Sequence, residues 1–117
     1  MPIKMENELG KIELSEDVLA AIAGVATIEC YGVVGMAHKR GKDGLVELLK
    51  GEHLGKGVKI SIVENEIVAE LFIVLGYGVN ISTVAGNIID KVKYTLETLT
   101  GFRVRKVIIN VQDIRVS

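Results

Sequence analysis

Three glycine-bearing loops, two histidines and one cysteine are the residues whose types and spacing could do chemistry in this chain. Gly76-Tyr77-Gly78 follows an apolar run and opens a helical pattern, the setting in which N–H groups at a helix N-terminus can take a phosphate. Ile81 stands where a third glycine would allow close helix–strand packing, and the run before Gly76 reads as the second strand of a hairpin, outside any parallel crossover. The segment therefore reads as a simple turn. Gly51-Glu52-His53-Leu54-Gly55-Lys56-Gly57 has the outline of a phosphate loop, but its glycines stand one residue too close and no Ser or Thr follows Lys56 to hold magnesium. It reads as a polar connector. Gly32-Val33-Val34-Gly35 has the spacing of the GXXG loop that clamps a nucleic-acid backbone, yet its two valines offer phosphate nothing, and a tight apolar bend accounts for the glycines.

Metal and nucleophile chemistry find no pattern. His38 and His53 have no second ligand at helical or turn spacing, and Cys30, alone in an apolar stretch, cannot build a thiolate site or an intramolecular disulfide. Burial makes it an inert thiol. No serine elbow, Cys–His signature or paired acids on one helix face occur, so no catalytic residue, metal ligand or cofactor is expected. One cluster stands out: His38, Lys39, Arg40 and Lys42 make an abruptly basic, glycine-flexed tip, with Lys50, His53 and Lys56 in the next stretch. Such a tip could meet anionic headgroups or an acidic protein patch, against the plainer reading that the charges only keep a loop solvated.

Elements that would position these residues follow from hydrophobic period. Lys11 to Leu14 alternates as a short strand, and Ser15 then caps a helix whose first turn carries Glu16 and Asp17 and whose body runs to about Ile28. That helix is apolar nearly all round and must be covered on more than one side. Gly24 inside it costs about 1 kcal/mol relative to Ala, which a closely packed neighbouring backbone would explain. Asp43 can cap a short helix from Gly44 to Lys50, with Leu45, Leu48 and Leu49 as its stripe. From Val58 the period becomes two. Val58 to Val63 and Ile67 to Leu75 form a hairpin around Glu64-Asn65-Glu66, and the second strand, apolar on both faces except at Glu70, is central. Asn80 then caps a long helix ending at Gly101. A last strand follows, with Val104, Ile114 and Val116 out of phase with Val107, Ile109 and Val111, which predicts bulges near Arg105-Lys106 and Gln112-Asp113.

The order β-α-(short α)-β-β-α-β predicts an α+β two-layer sandwich, ferredoxin-like or related, with a mixed or antiparallel sheet and helices mainly on one face. Residues 1–9 are expected to be a flexible N-terminal segment and 10–117 a single domain, since 117 residues support one core. Val63, Val68, Phe72, Val74 and Ile108 would look out from the second sheet face. Burying each is worth about 1.5–3 kcal/mol, so either the 43–50 helix or another subunit should cover them. Hydrophobic residues at 49% allow such left-over apolar surface. A formal charge of -1 leaves no global field to draw nucleic acid, so none is expected as a partner. Polar residues interrupt every apolar run before membrane-spanning length, so no transmembrane segment is expected.

Four stretches, in order, carry a resemblance over about Gly10 to Val116: Ile12-Glu13-Leu14-Ser15-Glu16-Asp17-Val18-Leu19 with its Ala-rich helix, Gly32-Val33-Val34-Gly35-Met36-Ala37, Tyr77-Gly78-Val79-Asn80-Ile81, and Thr100-Gly101-Phe102-Arg103-Val104 running to Val111. In these the chain resembles the alkaline shock protein family of bacterial envelope-stress proteins. It departs from the family pattern at Ser82, where Pro is frequent, and in the basic His38 to Lys42 tip, where a more neutral loop is usual.

The resemblance implies a cytoplasmic, non-enzymatic scaffold or adaptor of cell-envelope homeostasis, peripheral to the membrane through a membrane-anchored or envelope-linked protein. A homo-oligomer is expected, with the apolar second face as its contact. The alternative is a lipid- or acyl-binding accessory to a fatty-acid or dihydroxyacetone-type kinase, with His38, Lys39, Arg40 and Lys42 at the headgroup. A KH-like nucleic-acid binder comes after both.

Overall fold

The change of hydrophobic period along the chain is realised as strands β1 (Ile3–Asn7), β2 (Gly10–Leu14), β3 (Val33–Ala37), β4 (Leu48–Leu49), β5 (Val58–Val63), β6 (Glu66–Gly76) and β7 (Val104–Arg115), with helices α1 (Glu16–Ile28) and α2 (Ile81–Thr100). These come from a computed structural model, which describes residues 3–7, 10–38, 48–49 and 51–116. Residues 3–7, expected as part of a flexible segment, pair antiparallel with β2 as a separate hairpin.

β6 is the axis of the main sheet. β7 lies parallel to it along one edge, while the other edge is shared: β5 pairs with its first half and β3 with its second, both antiparallel, and β4 adds beyond β3. The architecture is the expected α+β two-layer one with a mixed sheet. β6, α2 and β7 form a parallel crossover, which corrects the expectation that the strand before Gly76 belongs to a hairpin rather than to a parallel crossover; at 11 residues β6 is long enough for β5 and β3 to share one edge while β7 takes the other. The turn into it adopts positive φ at Glu64 and Asn65, as a two-residue hairpin requires.

Both bulges expected in the last strand are present: the register with β6 skips Arg105 between Val104 and Lys106, and Gln112 between Val111 and Asp113. Each skip shifts the alternation by one, which is why Val104 and Ile114 share a face with Val107, Ile109 and Val111 despite the sequence phase. The predicted 43–50 helix lies mostly outside the described residues, and its end is a strand: Leu48 and Leu49 pair with Ala37 and Met36.

The core sits between one sheet face and the helices. Ile67, Ala69, Leu71, Ile73 and Leu75 of β6 are wholly buried there with Leu19, Ala23 and Ala26 of α1 and Val84, Ile88, Val92 and Leu96 of α2. Ser15 caps α1, its Oγ accepting from the Val18 N–H at 3.2 Å, and Asn80 caps α2 by accepting from Thr83 N–H at 3.0 Å. Gly101, at φ 77°, ends α2 in the left-handed conformation that glycine adopts without strain. At Gly24 the expected close backbone is Leu54 in the 3₁₀ turn Gly51–Gly57: a Cβ there would stand 3.0 Å from the Leu54 carbonyl oxygen. α1 is nevertheless incompletely covered, with Val18, Val25 and Ile28 exposed.

Candidate functional site

The outer face of the sheet, away from the helices, is broken at one place. Val58 at the start of β5 faces Leu71, and Met36 near the end of β3 faces Ile73, so Phe72 stands where the two half-length strands abut. The junction is tight, because Gly57 leads into β5 directly against β3: a Cβ on it would lie 2.9 Å from the Ala37 carbonyl oxygen. On the opposite edge Asn110 faces Phe72, and the bulge residue Gln112 follows. The result is a notch of about 600 Å³ with Phe72 in it.

His38, Lys56 and Lys59 enter this notch from the ends of β3, the 3₁₀ turn and β5, and Glu70 faces them from β6. Glu70 sits opposite Lys59 in the antiparallel register, and its carboxylate accepts a hydrogen bond from Asn110 Nδ2 at 3.1 Å, the same amide donating to the Leu71 carbonyl at 3.3 Å. The amide fixes the carboxylate toward β7. Two lysines and a histidine beside one carboxylate leave the notch with a positive surplus next to an aromatic ring, a surface for an acidic group carried on an apolar stem. Among the described residues no three His, Cys, Asp or Glu side chains gather as a metal site.

Around the notch runs an apolar strip. Val68 and Phe72 alternate on β6, Ile108 faces Glu70 from β7, and Val63 faces Glu66 from β5. Val63 is exposed, whereas Val68, Phe72 and Ile108 are half-buried. Val74 corrects the expectation of an open side chain: it is wholly buried. Its neighbour across the register is Gly35, and Leu48 of β4 fills the space beside that glycine, 3.2 Å from where a Cβ would be. Ion pairs close one end of the strip, Arg105 reaching Glu64 at 3.1 Å and Glu66 at 3.7 Å, with Arg103 3.9 Å from Glu66. With both arginines and Glu64 exposed and Glu66 half-buried, they shape the border more than they stabilise it.

Of the predicted basic cluster, exposed His38 lies at the notch, while Lys39, Arg40 and Lys42 lie outside the described residues. Sequence reasoning missed Lys59, Glu70, Asn110 and Gln112 as members of a site. The signal existed in part, since alternation places Lys59 and Glu70 on the face opposite the core, but only the end-to-end meeting of β3 and β5 brings His38 and Lys56 to them.

The remaining motifs resolve as structure. Gly76 N–H donates to the Gly32 carbonyl and Tyr77 N–H to the Arg115 carbonyl, both at 2.9 Å, so the glycine loop before α2 spends these two donors on the fold. Gly32, at φ 91°, makes the bend expected of it, and Gly35 is buried beside Leu48. Cys30 is half-buried, its Sγ 3.6 Å from the Ala26 carbonyl, and desolvation by burial pushes its thiol up, with Glu29 adding and Lys91 opposing. A thiol held protonated in this way is a poor nucleophile.

Comparison with known proteins brings no enzymatic description to any of the matches. The alkaline shock protein 23 family, described as having a cell envelope-related function, matches residues 4–116. The chain is 42% identical over 118 residues to the uncharacterized protein YloU of Bacillus subtilis, covering 100% of this chain and 98% of that protein. It is 40% identical to the uncharacterized protein Spy1614 of Streptococcus pyogenes serotype M6, covering 99% and 97%, and 32% identical to the uncharacterized protein YqhY of Bacillus subtilis, covering 97% and 85%. No solved structure matches significantly.

Proposed function

This chain belongs to the alkaline shock protein family, whose function is cell envelope-related, and from that premise we propose that it is a non-enzymatic scaffold working through its outer sheet face. Copies associate through the strip of Val63, Val68, Phe72 and Ile108, and the notch beside it receives an acidic group of an envelope-linked protein.

The observation that carries the reading is the half-buried apolar strip bordered by His38, Lys56 and Lys59, on a fold whose other sheet face is closed by a core of aliphatic side chains. Burial of an aromatic and several aliphatic side chains supplies affinity, and the surrounding charges supply orientation. Catalysis has no support in the arrangement. Thr27 and Thr100, the buried polar side chains among the described residues, hydrogen-bond within their own helices, to the Ala23 carbonyl at 2.7 Å and the Leu96 carbonyl at 2.6 Å. No helix of the described residues is long and apolar enough to cross a membrane, and in this reading contact with the envelope runs through a partner.

The test is light scattering on wild type and Phe72→Glu, with crosslinking and pull-down from the native cell beside it. The variant is expected to lower the mass of the assembly and to lose the envelope-linked partner; an unchanged mass and unchanged capture would remove the reading. The alternative of an acyl- or lipid-binding accessory is favoured by one feature, the aromatic ring among the lysines. Sedimentation with anionic vesicles that is lost in Lys56→Ala with Lys59→Ala would move the assignment to it.

A further inference from the structure

β7 is an edge of the sheet: among the described residues it pairs only with β6. An open edge is a template for another strand unless it is short, charged or bulged. β7 has 12 residues, and its bulges fall at Arg105 and Gln112, leaving Lys106 to Val111 regular between them. Val107, Ile108, Ile109 and Val111 make that stretch largely apolar. Its core-facing row is also unfinished. Val107 and Ile109 are half-buried, and Val111 and Ile114 are 36% and 37% exposed, whereas their register partners on β6, Ala69, Leu71, Ile73 and Leu75, are all at 0%.

We propose that β7 pairs edge to edge with β7 of a second copy of this chain, antiparallel about a two-fold axis at Ile109, so that one sheet runs through both copies. A closed contact between two copies is isologous, and a two-fold axis normal to the sheet makes the strands antiparallel with helices on the same side. Residues facing each other in such a pair share a face, so within the regular stretch one residue must face itself. Centred on Ile109, Val107 meets Val111 on the core side and Ile108 meets Asn110 on the outer side. Lys106, in no ion pair among the described residues, then reaches the bulge at Gln112 and Asp113 of the second copy, where it joins Arg115, already 3.4 Å from the Asp113 carboxylate. Centred on Ile108, Lys106 would face Asn110 and Arg105 would face Val111, with no charge complement. The contact runs along the β7 edge and borders the notch at Asn110 and Gln112, while Phe72, on the neighbouring strand β6, takes no part in it.

The experiment uses the full chain with Cys30→Ser to remove the native thiol. Facing Cα atoms in an antiparallel pair lie about 4.5–5.5 Å apart, a span that a disulfide bridges. Under mild oxidation Ile109→Cys should form a linked dimer at least ~tenfold faster than Tyr94→Cys, an exposed α2 position that meets its copy only by collision. Lys106→Asp should slow the linkage, and Lys106→Asp combined with Asp113→Lys should restore it. If Ile109→Cys does not fold, the same charge set read by light scattering tests the register without a new cysteine. Phe72→Glu should leave the Ile109 linkage in place. Linkage no faster than at Tyr94, no rescue by the double charge variant, or loss of the linkage in Phe72→Glu would each overturn the edge contact, the last by assigning association to the outer face.

Discussion

The two faces of β6 are built from the same alternating strand and have opposite fates. On the core side Ile67, Ala69, Leu71, Ile73 and Leu75 are wholly buried under α1 and α2, and on the outer side only Val74 reaches that state. Glu66 and Glu70 interrupt the outer row, but hydrophobicity alone does not explain the difference, since Val68, Phe72 and Val74 are as apolar as what they back onto. What separates them is coverage. The helices reach one face, and on the other Leu48 of the short β4 reaches in beside Gly35, the register partner of Val74. The core side therefore holds the fold and the outer side is available for contact, so substitutions on the two should report different properties.

Leu71→Ala should break the fold side most strongly. Truncating a wholly buried leucine costs about 2–5 kcal/mol through lost burial and the cavity left, and chemical denaturation would read it as a fall in midpoint at unchanged slope. A cost comparable to that of an outer-face substitution would mean that Leu71 does not sit in a closed core.

Gly24→Ala sharpens the same side. On helix propensity alone it should stabilise by about 1 kcal/mol, but the new Cβ would sit 3.0 Å from the Leu54 carbonyl oxygen and 3.2 Å from its carbon, backbone atoms that cannot swing aside. The expected sign is reversed, a loss of about 1–3 kcal/mol, typical of an overpacked site. A rise in melting temperature would show that α1 and the 3₁₀ turn are not in this contact.

Val68→Ser on the outer face should be the smallest effect, within about 0.5 kcal/mol of wild type in the dissociated chain, because the residue is half-buried and the helices of the described residues pack on the other sheet face. Its consequence should appear in assembly mass or partner capture instead. A large loss of stability in a dilute monomer would mean that the outer face is covered from within the chain.

Much of the positioning was legible in local sequence. Ser15 and Asn80 cap helices because a short oxygen-bearing side chain precedes an apolar periodic run, and Gly101 ends α2 because it reaches positive φ without strain. The bulges in β7 were legible as breaks of phase, each where the apolar alternation slipped by one residue. The site was legible only as fragments. Lys59 and Glu70 could be placed opposite the core by alternation, and His38 could be seen as basic, but nothing local says that residues 38, 56, 59, 70 and 110 meet, because their proximity depends on which strands β6 takes as partners.

Sequence by itself determined the class of the protein: the two long helices and the strands β2, β5, β6 and β7, though not β1 or β4, and which row of β6 faces a core. These are decided by periodicity and by short-range capping and turn chemistry, interactions a few residues long. Tertiary structure alone decided that β3 and β5 divide one edge of β6 between them, that Val74 is closed off while Phe72 is left in a notch, and that β6, α2 and β7 form a parallel crossover. Those outcomes depend on strand pairing between residues far apart in the chain, where the alternatives have equal local propensity and only the packed whole distinguishes them.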